Sequence, residues 1–288
     1  MSDHLITLAE ANALRERRYH RKLDLRLTSQ QDIRAFVDEV GACLLFPAKG
    51  IEMPNVYQAV AGKVRATTSS HHDPVIGLTW GTKDAALDKH WWYYGKLIRD
   101  KATLLSLDLL PAFYALSENY GSPEDYLDEY EAGRLSADAR SIYEALLKQG
   151  PLHAINLKRA TNLYGDAVKG KFDKAIAELQ RGLKILPVGV AEAGAWRYAF
   201  IYELLWRWFP DVSEQARTLT RGEARSVILE RHLRNVIYTT PKEASRLFGW
   251  RPEETTSAIQ RLVAHGIAAT GRVIKGLKDE VVLLQPLG

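Results

Sequence analysis

Cysteine is nearly missing: there is one thiol, Cys43, in 288 residues. A lone cysteine excludes an intramolecular disulfide, and its place in the apolar run ACLLF reads as a small core residue in a reducing compartment. Also missing is any uncharged apolar run near the ~20 residues that a membrane-spanning helix needs. The opening stretch MSDHLITLAEANALRERRYHRK lacks the unbroken apolar core of a secretory signal, so a cytoplasmic chain without a membrane segment is expected. His and Cys do not cluster twice at metal-ligand spacing, and neither a metal nor a cofactor is expected. A strong net charge is absent too, since the formal value is only +4. The charge is nonetheless segregated. Residues 117–131 hold six acidic groups and no basic one, whereas residues 217–288 hold twelve Lys or Arg against seven Asp or Glu. Such segregation leaves room for an anion-binding face on a nearly neutral protein.

What is present is a repeat. LKRATNLYG (157–165) is echoed 84 positions later by PKEASRLFG (241–249), and both copies are preceded by a helix-like stretch beginning Ala-Arg-Ser. In the first copy, Ser136 is a plausible N-cap, Ile142, Ala145 and Leu146 are core-spaced, and Gly150-Pro151 stops the helix. A short helix over about 153–164 follows, with Tyr164 expected as a core plug and Gly165 as a left-handed cap. A third helix over about 170–181 places Phe172, Ile176 and Leu179 on one stripe, opposite Lys171, Lys174 and Arg181. A hairpin follows, and then YELLWRWFP reads as a buried joining helix. The second copy has the same order: helices over about 221–236, 241–248 and from Pro252, then a hairpin around KGLK. Three helices and a hairpin make a winged helix, in which the third helix reads a groove and the hairpin lies against the backbone. The fold class expected is mainly α with small β-hairpins (α+β), as tandem winged helices. Residues 133–212 and 213–288 form two such domains. Residues 1–132 form a helical or degenerate winged-helix region with an aromatic-rich insertion, where TSQQDIRAFVDEVG is a capped helix with Ile33, Phe36, Val37 and Val40 inward.

From that capped helix ending at Gly41, through the aromatic middle running into SLDLLP, to GPLHAINLKRA and FDKAIAELQ with a hairpin after it, most of the chain resembles the AlkZ/YcaQ family of bacterial DNA glycosylases. The resemblance implies tandem winged helices that grip duplex DNA in a concave basic channel and remove alkylated bases without a metal. It further implies a Gln-x-Gln or Gln-x-Asp motif soon after the early helix and its Gly. Here that run is Gly41, Ala42, Cys43, Leu44, Leu45, Phe46 and Pro47, so Leu44 and Phe46 stand where the polar pair belongs. No Gln, Asp or Glu lies between Gly41 and Ile51. Neither Leu nor Phe can position water or stabilise a developing oxocarbenium charge. The family's catalytic pair therefore carries over to no residue of this chain.

Other motifs are weaker. GDAVKGKF (165–172) misses the phosphate-loop pattern because Phe172 replaces the magnesium-binding hydroxyl and a helix precedes it. SSHHDP (69–74) supplies the only catalytic candidates, His71, His72 and Asp73, with a turn at Asp73-Pro74 as the plainer reading. HWWYYGK (90–96) can stack on bases or fill a core. The expected partner is duplex DNA, bound by a monomer. The contacts expected are Lys158, Arg159, Lys169, Lys171, Lys174 and Arg181 in the first copy, Lys242, Arg246 and Arg261 in the second, and Arg272, Lys275 and Lys278 on its wing. Two other readings stand beside this one: a divergent glycosylase, and a winged-helix scaffold for protein partners.

Overall fold

Three helices are started by the same chemistry. Ser29, Ser136 and Thr220 each place a side-chain oxygen where it accepts the N–H three residues on, capping Gln30–Val40, Ala137–Gln149 and Arg221–Val236. At Ser29 and Thr220 the carboxylates of Asp32 and Glu223 accept the cap's own N–H, which completes a capping box. Ser136 also donates its hydroxyl to Glu178 at 2.6 Å. Ser136→Ala is expected to cost about 1 kcal/mol, the usual worth of such a cap, read as a shift of the urea midpoint.

In the computed structural model, which describes residues 6–286 apart from Ser69, His71, Ala195 and Trp196, each capped helix opens a unit with one connectivity. A short strand follows the helix, then two more helices, then a hairpin. In each of the three-stranded sheets the short strand pairs antiparallel with the last hairpin strand, which lies between the other two. The first unit comprises Gln30–Val40, Ala42–Leu44, Val56–Ala61, Pro74–Ala85, Trp92–Ile98 and Lys101–Ser106. The second runs from Ala137–Gln149 to the hairpin Ile185–Ala191 and Ala199–Leu204, and the third from Arg221–Val236 to Ala268–Gly271 and Val281–Leu284. The chain is thus α+β, mainly helical with small sheets.

Where each opening helix meets its short strand, the backbone turns through positive φ: 75° at Gly41, 78° at Gly150 and 70° at Ile237. Glycine suits the first site for a second reason, since a Cβ on Gly41 would lie 2.7 Å from Arg231 Cγ. Ile237 takes the same turn with a β-branched side chain, only 2% exposed, so burial there outweighs backbone strain.

The units share one core. Leu44, Leu105 and Leu109 pack in a single cluster with Leu186, Leu205 and Phe209 and with Ala224 and Ile228. Directional bonds fix the arrangement. Tyr93 donates its hydroxyl to Gln180 O (2.8 Å), and Asn235 donates to Val40 O (2.7 Å). Lys83, 1% exposed, donates to the Tyr198 hydroxyl at 2.8 Å, pairs with Asp84 at 2.5 Å and lies over Trp80 and Phe200. A buried ammonium needs such a cage of carboxylate, hydroxyl and ring faces to offset its lost hydration.

Several local expectations are corrected. The helix expected over 153–164 is Ala154–Ala160, and Tyr164 is 62% exposed. Leu163 fills the core position instead, because Thr161 bonds back to Leu157 O and the chain turns at Asn162 with φ 55°. YELLWRWFP is a strand through Leu204 before a single helical turn, Leu205–Trp208, because Leu204 pairs with Ile185. The aromatic run 90–96, expected within an insertion, enters the first hairpin as the strand Trp92–Ile98. The hairpin around KGLK carries an extra strand, Ile274–Lys275, which pairs in parallel with Ile6–Thr7. The N-terminal arm continues as the helix Leu8–Arg18, and its Arg15 donates Nε to Val236 O at 2.8 Å while lying over Tyr238. The arm therefore packs on the third unit.

Candidate nucleic-acid interface

The run CLLF presents no polar side chain to solvent. Cys43, Leu44 and Leu45 are at most 1% exposed, and burial pushes the Cys43 thiol well above its ordinary range. Phe46 packs against Tyr57 and Trp80. Beyond Pro47 the chain leaves the core, and its loop forms one wall of a cavity.

Of the catalytic candidates, His71 lies outside the described residues and His72 is exposed in a turn. Asp73 is already used. It caps Pro74–Ala85 by accepting the Val75 N–H at 2.9 Å, and it pairs with Arg65 at 2.6 Å. Partial desolvation raises its carboxyl, but those two partners outweigh it and hold the group below the ordinary carboxylate range.

A cavity of about 630 Å³ lies between the loop after Pro47 and the third unit's helix Pro241–Phe248. A second, about 480 Å³, lies between the first hairpin, the C-terminal end of Lys171–Arg181 and the start of Arg221–Val236. Arg99, Arg246 and Leu247 line both, so the two form one groove touching all three units. Arg99 is at the tip of the first hairpin, where it and Asp100 take left-handed backbone, φ 49° and 57°. Asp100 is bound by Arg181 at 3.2 Å. Arg15 and Arg21 reach the first cavity from the N-terminal arm, and Arg221 and Arg225 reach the second. Arg225 is held by Glu254 at 2.5 Å, whereas Arg99 and Arg246 have no carboxylate partner among the described residues. His232 also lines the first cavity, and burial pushes its imidazole down to about 3.

Of the contacts expected from sequence, Arg181 and Arg246 line this groove. Lys158 lies over the Phe172 ring at 4.8 Å, and Arg261 lies against Gly222. Arg159, Lys169, Lys171, Lys174, Lys242, Arg272, Lys275 and Lys278 are exposed outside it. Sequence reasoning missed Arg15, Arg21, Arg99, Arg221 and Arg225. One signal was available for the first two: RERRYHRK, residues 15–22, carries five Lys or Arg against one Glu.

A family model described as AlkZ related matches residues 27–249. The chain belongs to the AlkZ-related family. Neither the curated proteins nor the solved structures gave a match. The AlkZ-related segment spans the first two units and ends at the cap of Pro241–Phe248. The N-terminal arm, the last helix Pro252–Ala264 and its hairpin lie outside it. Among the described residues of this AlkZ-related chain, no group of three His, Cys, Asp or Glu could hold a metal ion. No helix among them is long and apolar enough to cross a membrane.

Proposed function

We propose that this AlkZ-related protein binds duplex DNA in the arginine-lined groove, in DNA repair or damage recognition, with each of its three units acting as a winged helix. The observation that carries this reading is the convergence of Arg99, Arg181, Arg221, Arg225 and Arg246, from all three units, on one groove. Guanidinium forks match phosphate oxygens, and a groove reading the backbone holds DNA largely without regard to sequence. Lys158, Arg159, Lys169, Lys171 and Lys174 extend the basic surface beyond the groove on the second unit, and Lys242, Arg261, Arg272, Lys275 and Lys278 on the third. The test is binding to plain and alkylated duplexes. Six or more phosphate contacts lower affinity by about a thousandfold between 50 and 200 mM salt. No binding even at low salt removes the proposal.

A divergent glycosylase is a second reading, favoured by Glu52. This carboxylate lines the larger cavity just past the stretch that lacks Gln, Asp and Glu. A carboxylate there can activate water or stabilise developing positive charge, the tasks Leu44 and Phe46 cannot perform. Incubation with alkylated duplex should yield abasic sites that are lost in Glu52→Gln. Equal release by both proteins excludes Glu52 from the chemistry.

A further inference from the structure

The deep end of the groove differs from its rim. Arg15, Arg21, Arg99 and Arg246 converge on one cavity whose acidic residues are Glu52 and Glu243. Glu243 is already committed, accepting both the N–H and the hydroxyl of Thr240 at 2.9 Å. Four guanidinium groups thus face two carboxylates in the lining, and the charge there is net positive. One donor at this end, Arg21 Nε, is buried without a partner among the described residues, while the same guanidinium pairs through Nη1 with Glu16 at 3.2 Å and lies over the Tyr19 ring at 4.4 Å. Buried donors without acceptors are uncommon in folded proteins and mark places where a ligand supplies the acceptor. Pro47, Ile51, Val64 and Leu247 give the wall an apolar part, beside the polar Gln58, His232 and Thr239. At about 630 Å³ the cavity has the size of a small-molecule site and is far too small for a duplex.

Resting on the reading of the groove as a DNA-binding surface, we infer that the N-terminal arm makes its deep end into a pocket for the phosphate of one nucleotide unit. Arg15 and Arg21 precede residue 27 and lie outside the residues that the AlkZ-related family model matches. The phosphate oxygens accept from the guanidinium forks, and the sugar or base lies on the apolar part of the wall. The unit belongs either to a DNA strand or to a free nucleotide, and the chemistry recognised is the same.

The experiment titrates the full-length chain with inorganic phosphate and with adenosine 5′-monophosphate, then repeats the nucleotide titration against a bound fluorescent duplex. Saturable nucleotide binding is expected, weakened about tenfold in Arg21→Gln, the loss of one charge-assisted contact. It should be weakened similarly in Val64→Trp, which narrows the mouth at an exposed residue whose replacement leaves the core untouched. Competition with the duplex assigns the pocket to a strand nucleotide, and simultaneous binding assigns it to a free one. Failure of both phosphate and nucleotide to bind at about 10 mM, weaker than any useful site, overturns the inference even if duplex binds normally. Nucleotide binding unchanged in both variants overturns it too. Nucleotide binding without duplex binding instead removes the groove proposal and leaves the pocket standing.

Discussion

Replacing Arg99 and Arg246 together by glutamate is expected to weaken duplex binding by about a hundredfold, while the melting temperature stays near that of the parent. Each guanidinium making a charge-assisted bond to phosphate contributes about 1.5 kcal/mol, and the two together give about two decades of affinity. The salt dependence should flatten as well, with the slope of log affinity against log salt falling by about one for each cation removed. Both residues are exposed, and neither has a carboxylate partner among the described residues, so their loss breaks no ion pair there. Arg99 already has positive φ, which a glutamate bears no worse. Gel shifts or fluorescence anisotropy at several salt concentrations read both quantities. Unchanged affinity and slope would place the DNA surface elsewhere.

Acidification is the second large effect. His232 is 6% exposed, its ring edge-on to Phe248 at 5.4 Å, and burial pushes its imidazole from the ordinary 6.5 down to about 3. Between those two values the unfolded chain binds a proton that the folded chain refuses. Stability from this group is therefore complete above pH 6.5 and is lost progressively as the pH falls toward 3. The loss approaches about 1.4 kcal/mol per pH unit within that window and totals about 5 kcal/mol across it. Urea unfolding at pH 7, 5.5 and 4.5 should show this decline. His232→Gln, which takes up no proton there, should show a shallower decline by about that slope. Parallel curves for the two proteins would mean that His232 is protonated in the fold.

The groove was the least legible part of the sequence, and the reason is physical. Helical periodicity reports which face of one element is buried, and it placed Ile33, Phe36, Val37 and Val40 inward, as they are. Cap chemistry is equally local, so Ser136 and the turn at Gly249, with φ 70°, could be read directly. The cations of the groove come from residues 15 to 246, and packing of three units on a shared core brings them together. No local pattern encodes that meeting. Tyr164 shows the limit inside a repeat: its counterpart Phe248 packs against Phe113 and Trp250, but a helix that ends four residues earlier in the repeat leaves Tyr164 in solvent. The run CLLFP stands between these cases. Its lack of a polar pair was visible, whereas the nearness of Glu52 to the cavity required the loop's path.

The pairing of Ile6–Thr7 with Ile274–Lys275 also sets an order of assembly. A chain made from its N-terminus releases the arm long before its partner strand, and contacts so distant in sequence form late. The first two units can fold while synthesis continues, with the arm still unclasped. Its Arg15 anchors, Val236 O and the Tyr238 ring, arrive only with the third unit. A chain cut short before residue 274 thus lacks the strand that pins the arm, so the deep pocket closes only once the third unit's hairpin is in place.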